Sequence, residues 1–89
     1  MVMDFEYDPK KSESNKVKHG IDFEQSRALW LDINRLEVQA KSDDEPRFAL
    51  IAIRGNTLWT AFYTIRESRI RIISVRRSRR GERSLYYES

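Results

Sequence analysis

Residues 48–75 read FALIAIRGNTLWTAFYTIRESRIRIISV, and the fold turns on this stretch. Three runs rich in β-branched and aromatic residues, at 48–53, 58–65 and 70–75, are separated by two short polar breaks. Arg54-Gly55-Asn56-Thr57 reads as a tight hairpin turn and Glu67-Ser68 as a second, so the runs are predicted to be antiparallel strands. The last run is apolar on both faces near its end, as an interior strand is. Upstream, Leu36, Val38 and Ala40 alternate with Arg35, Glu37 and Gln39, which predicts a further half-buried strand. A polar loop over residues 41–46 connects the two regions.

Helical signals flank this block. Asp8-Pro9 caps and opens a helix that should run through Val17 or Lys18 and stop at Gly20. Val17 is its only large apolar residue, so little core contact is expected to hold it. Asp22-x-x-Gln25 resembles a capping box and opens a second helix through Trp30, with Phe23, Trp30 and Leu31 as its apolar stripe. Ser78 is placed to cap a final helix to Glu88, packing through Leu85 and either Tyr86 or Tyr87. Phe5 to Tyr7 suits a short extended segment at a sheet edge. Segregated helices and strands make the class α+β: two N-terminal helices, an antiparallel sheet of three to four main strands and one C-terminal helix.

The 89 residues are expected to form one domain, residues 1–89, burying roughly 60–65% of the unfolded surface. There is no cysteine and one histidine, so neither disulfides nor a closed zinc site can reinforce so small a core. No apolar run approaches the roughly 20 residues that span a bilayer, and the acidic start is unlike a secretory signal. A cytoplasmic protein without membrane contact is expected.

The net charge of +3 hides an asymmetry. From Arg66 to Arg83 there are eight arginines against Glu67 and Glu82, so this segment carries +6 and the rest sums to −3. Every lysine lies earlier in the chain. Arginine grips phosphate with a planar two-pronged fork, which suits RNA or another polyanion; a merely solvated charged face is the plainer alternative. Arg79 and Arg80 fall in the first turn of the last helix, where cations are disfavoured by roughly 0.3–1 kcal/mol each. They follow Arg76 and Arg77, and a conflict of that kind calls for an anion.

Trp59, Tyr63, Tyr86 and Tyr87 lie near this cluster in sequence, and each can either stack a base or pack in the core. His19 is the natural proton carrier near neutrality, although a histidine before Gly20 also suits helix-terminal carbonyls. Lys18 and Asn15 are expected to share its polar surface. RNA cleavage without a metal needs a base for the 2′-hydroxyl, cations for the phosphorane and an acid for the leaving oxygen. The arginines fit the second task, and His19 or a tyrosine the others. Asp43, Asp44 and Glu45 are clustered but read as a loop rather than as a metal site. A non-catalytic nucleic-acid-binding module or a protein-interaction module can use the same arginines.

The motifs together resemble the BrnT toxins over nearly the whole chain. They are Phe5-Glu6-Tyr7-Asp8-Pro9-x-Lys11, Asn15-x-x-Lys18-His19-Gly20-Ile21-x-Phe23, Glu45-x-Arg47, Ile70-Arg71-Ile72-Ile73-Ser74-x-Arg76-Arg77 and Glu82-Arg83-x-x-Tyr86 or Tyr87. Tyr7 stands where the family usually has tryptophan, and Val75 where alanine is commoner. The resemblance implies a RelE-like fold and a ribonuclease that arrests translation, with RNA as substrate and no cofactor. It also implies a cognate BrnA-like antitoxin that neutralises the toxin and alone connects it to DNA. Transferred position by position, it places function on Lys18, His19, Arg47, Arg76, Arg77 and a C-terminal tyrosine, Tyr86 or Tyr87; His19, Arg76, Arg77 and Tyr87 are the expected catalytic residues. Lys18, Arg47, Arg71, Arg79, Arg80 and Tyr86 are the expected substrate-binding residues.

Overall fold

The computed structural model describes residues 3–89; the first two residues of the expected domain lie outside the described residues. In chain order the elements are β1 (Phe5–Glu6), α1 (Pro9–His19), α2 (Phe23–Ser26), a 3-10 helix (Arg27–Leu31), β2 (Leu36–Ala40), β3 (Arg47–Arg54), β4 (Thr57–Arg66), β5 (Arg69–Arg77) and α3 (Arg80–Glu88). The sheet order is β1-β5-β4-β3-β2. Strands β2 to β5 are the four antiparallel strands that the alternation and turns predict. The fifth, β1, pairs in parallel with β5 through Phe5↔Ile70 and Glu6↔Arg71, so the sheet is mixed. The extended segment expected at a sheet edge over Phe5 to Tyr7 is thus present as β1, but two residues carry too little pattern to show that it pairs in parallel.

Local signals were accurate where they rest on backbone chemistry. Asp8 accepts a hydrogen bond from the Lys10 amide at 2.9 Å, and Gly20 closes α1 at φ 83°. Asp22 and Gln25 form the reciprocal capping box. The helix it opens is one α-turn that tightens into 3-10 geometry rather than an α-helix through Trp30. Phe23 and Trp30 still reach the core, but Leu31 stays 78% exposed. The last helix starts one residue later than expected. Arg79 is its N-cap, because the Ser78 hydroxyl is engaged with Thr60 at 2.8 Å.

One face of the sheet carries Leu50, Ala52, Trp59, Ala61, Tyr63, Ile72 and Val75, covered by Ile21, Phe23, Leu29 and Trp30. Trp30 is wedged edge-on between Phe5 and Tyr63, with ring centroids 5.0 and 5.4 Å away. Burying such a side chain contributes roughly 2–3 kcal/mol. On the opposite face, Tyr86 of α3 packs on Ile51 and Leu58 at one end.

A bulge decides which β5 residues share that second face. Phe62 pairs with Ser74 but Tyr63 pairs with Ile72, so Ile73 is the extra residue. Side chains of cross-strand partners point to the same face. Thr60↔Arg76, Phe62↔Ser74 and Thr64↔Arg71 therefore put Arg76, Ser74 and Arg71 together, while Val75 and Ile72 turn into the core.

Helix α1 docks by polar groups. Val17 is 89% exposed, whereas Ser12 and Asn15 are buried. Asn15 was expected on the polar surface; instead its amide clasps the β5 backbone beyond the reach of short β1. Its Nδ2 donates to the Val75 and Ile21 carbonyls at 2.9 and 2.8 Å, and its Oδ1 accepts from the Val75 amide at 3.1 Å. The Ser12 hydroxyl accepts from the Phe23 amide at 2.9 Å. Asn15→Ala would orphan three buried backbone groups, a loss of roughly 2–4 kcal/mol. The expected drop in melting temperature is about 10 °C or more, against no measurable change for Val17→Ala. Similar melting curves for the two variants would contradict polar docking.

Candidate functional site

The uncovered part of the second face lies between α3 at one end and the 41–46 loop at the other, where Thr64 donates to the Pro46 carbonyl at 2.7 Å. Phe62 sits half-buried in its middle, paired with Ala49 on one side and Ser74 on the other. Arg47, Arg71 and Arg76 all belong to this face by register: Arg47 lies two residues from Ala49 on β3, and the bulge brings Arg71 to the same side as Arg76. Arg71 lies 3.6 Å from Glu6, its parallel partner. Arg47 is exposed and borders the recess formed by Lys41, Ser42, Asp43 and Asp44.

Arg76 is the most constrained of the three. Its two terminal nitrogens donate to the two oxygens of Glu82, both at 2.8 Å, and its guanidinium lies 5.1 Å from the centre of the Phe62 ring. Glu82 also accepts from the Thr60 hydroxyl at 2.9 Å and from the Arg79 amide at 2.8 Å. The anion called for by cations at the start of α3 is thus partly supplied from within, since Glu82 occupies the helix's first turn. Hydrogen bonds from Arg76, then from Arg79 and Thr60, outweigh burial and hold the Glu82 carboxyl down at about 2. The same bond raises Arg76 above its ordinary value.

At the edge of β5, Lys18 and His19 line a cleft of about 190 Å³ with Lys11, Ser14, Asn15, Ile73 and Ser74. Ser74 belongs to the open face, so the end of α1 rims the same surface that carries Arg76. Lys18 is exposed and His19 half-buried.

The other expected residues are placed elsewhere. Arg77 points to the opposite face, its guanidinium 5.9 Å from the ring centre of its partner Trp59. Tyr86 is buried and donates its hydroxyl to Asp32 at 2.6 Å. Burial, then the Asp32 bond, pushes that phenol up to about 12. Asp32 also accepts from the Ile53 and Asn34 amides at 2.9 Å each, so it ties α3 to the loop before β2. Tyr87 is 62% exposed on the flank of α3, with Arg80 and Arg83 beside it. Trp59 and Tyr63 are buried in the core.

Sequence reading missed Glu82, Thr60 and Phe62. For Glu82 the signals were its place in the Glu82-Arg83 motif and an acid three residues after the N-cap; a threonine and a phenylalanine within a strand announce nothing. Asp43, Asp44 and Glu45 lie in the loop as expected, with Glu45 paired to Arg66 at 3.1 Å.

Because Glu82 ionises below the ordinary 4.5, its ion pair stabilises the fold above that value and is lost as pH falls toward about 2. Replacing it by glutamine should flatten the acid limb of a stability–pH curve by on the order of 2 kcal/mol between those limits. Acid limbs of equal slope for the wild type and Glu82→Gln, measured by urea unfolding, would contradict the pairing.

The model of a family described as a ribonuclease toxin, BrnT, of type II toxin–antitoxin systems matches residues 7–82. The match spans the capped N-terminal helix, strands β2 to β5 and the Arg76–Glu82 pair. No curated protein matches the sequence. Among the described residues, no helix is long and apolar enough to cross a membrane. A type II system pairs its toxin with an antitoxin protein, and the chain belongs to the BrnT family of ribonuclease toxins.

Proposed function

We propose that the chain is a metal-independent endoribonuclease whose reacting centre lies on the open sheet face between Arg76 and the His19 end of α1. One observation carries this reading. The bulge at Ile73 puts Arg71 and Arg76 on one accessible face, while α1 brings Lys18 and His19 to Ser74 of that same face. Cations that can stabilise a phosphorane thus adjoin the one histidine in the chain.

The 2′-hydroxyl attacks the neighbouring phosphorus, the P–O5′ bond breaks, and the products are a 2′,3′-cyclic phosphate and a free 5′-hydroxyl. Arg76 binds the non-bridging oxygens. Glu82 positions the guanidinium plane, so less orientational freedom is lost when the phosphate arrives. His19 handles the proton at this centre, and Lys18 and Arg47 hold adjoining charge. Arg77, Arg79 and Arg80 attract the polyanion from outside the centre, and Tyr87 offers a ring for a base. Tyr86 acts by anchoring α3.

The wider reading follows the family. A RelE-like toxin in the cytoplasm cleaves RNA, arrests translation and is neutralised by a BrnA-like antitoxin through which alone it meets DNA. The arginine-lined face is the surface such an antitoxin would have to cover or distort.

Arg76→Ala alone would strand the Glu82 carboxylate at a cost of several kcal/mol. The informative comparison is therefore Glu82→Gln against the double variant Arg76→Gln/Glu82→Gln. In EDTA, the wild type should cut RNA to 2′,3′-cyclic ends, and Glu82→Gln should lose less than about tenfold. The double variant and His19→Gln should each lose roughly a hundredfold or more in kcat. Cleavage that needs a divalent ion, or a double variant as active as Glu82→Gln, would overturn the assignment.

A further inference from the structure

We propose that the cleft between α1 and β5 is a second phosphate subsite, in which Lys11, Ser14 and Lys18 hold an RNA backbone phosphate next to the scissile one. The proposal rests on the ribonuclease reading and adds to it a subsite, with Lys11 and Ser14 as further binding residues.

Lys11, Ser14 and Lys18 stand at i, i+3 and i+7 of α1, a spacing that stacks side chains on one helix face. They line the 190 Å³ cleft with His19, Asn15, Ile73 and Ser74. No carboxylate lines it. The Asn15 amide is spent on the Val75 and Ile21 backbone. What remains facing the cleft is two ammonium groups, two hydroxyls and an imidazole, a set suited to an anion with several acceptor oxygens.

The charges here are also unspent. Among the described residues, Arg27, Arg35, Arg66, Arg71 and Arg76 each have a carboxylate partner, whereas Lys11 and Lys18 are in no ion pair. A cation left in water keeps its capacity to release counterions when a phosphate binds.

Position supplies the third argument. Ser74 belongs both to the cleft and to the open face, two residues along β5 from Arg76. That separation is roughly 7 Å along a strand, short enough for one RNA strand to pass from Arg76 to α1. The Ile73 bulge twists the strand edge at this point, where β1 no longer covers it. An RNA strand laid across Phe62 with its scissile phosphate on Arg76 thus meets the lysine cleft next.

The test uses the full chain and a short RNA carrying a 2′-deoxy substitution at the nucleotide that the wild type is found to cut. Affinity is measured against salt for wild type, Lys11→Gln and Lys11→Arg. Lys11→Gln should weaken binding about three- to tenfold and reduce the slope of log affinity against log salt by about 0.7, and Lys11→Arg should restore both. With cleavable RNA, KM should rise in step while kcat changes less than about twofold. A neutral methylphosphonate at one linkage beside the cut should abolish the difference between wild type and Lys11→Gln. The position is exposed, so melting should be unchanged. Equal affinity and slope for Lys11→Gln, or a difference that survives neutralisation at every neighbouring linkage, would overturn the subsite. A wild type that neither cuts nor binds RNA would instead overturn the ribonuclease reading itself.

Discussion

The register of β5 on β4 governs both the core and the site. Arg71 and Arg76 are five residues apart, an odd number, so in an unbroken strand they would point to opposite faces. The extra residue at Ile73 reverses that parity. It lets Ile72 and Val75 both enter the core while Arg71, Ser74 and Arg76 share the open face. Asn15 holds the backbone two residues further on, clasping Val75 by its amide and carbonyl. The clasp also stations α1, and with it Lys18 and His19, beside Ser74. One irregularity and one buried amide thus assemble a surface from residues that are far apart in sequence.

Electrostatics completes the assembly. A helix that begins with arginines and follows a strand ending in arginines ought to be disfavoured. Glu82 answers this by taking the Arg79 amide, the Thr60 hydroxyl and both terminal nitrogens of Arg76. The pair fastens α3 to the sheet and keeps Arg76 over Phe62. At the far end of α3, the Tyr86–Asp32 bond is the second anchor. Arg76 thus already has a partner, and in the proposed mechanism a phosphate would share it with Glu82 or draw it away. Among the described residues, Arg47, Arg77, Arg79, Arg80 and Arg83 are in no ion pair, so the proposed RNA binding would weaken as salt rises.

Much of the fold was legible because its signals are local. The Asp8-Pro9 start, the Gly20 stop, the Asp22–Gln25 box and the hairpin turns each depend on a few neighbouring residues. Alternation in residues 35–40 located β2 for the same reason. What escaped was non-local. Ile72 and Ile73 are adjacent and both apolar, which suits an interior strand buried on both faces as well as a bulge, so the shift of parity between Arg71 and Ser74 was not read. Asn15 lies in a polar helix where nothing distinguishes it from exposed neighbours; little core contact was expected of that helix, and its one large apolar residue, Val17, is exposed. Of the site, the motifs named Lys18, His19, Arg47, Arg71 and Arg76, which the structure gathers around one face. Composition could not show that Arg77 turns away or that Tyr86 spends its hydroxyl on Asp32.

In the proposed complex RNA lies on the open half of the sheet, across Phe62, and not on the side covered by α2 and the 3-10 helix. Amide chemical-shift mapping with an RNA blocked at its cleaved 2′-hydroxyl tests this most directly. The largest shifts are expected at Ala49, Phe62, Arg71, Ser74 and Arg76 and along the His19 end of α1, with Glu24, Ala28 and Leu31 unmoved. Shifts centred on Glu24 to Leu31, with the β4–β5 face unchanged, would contradict it.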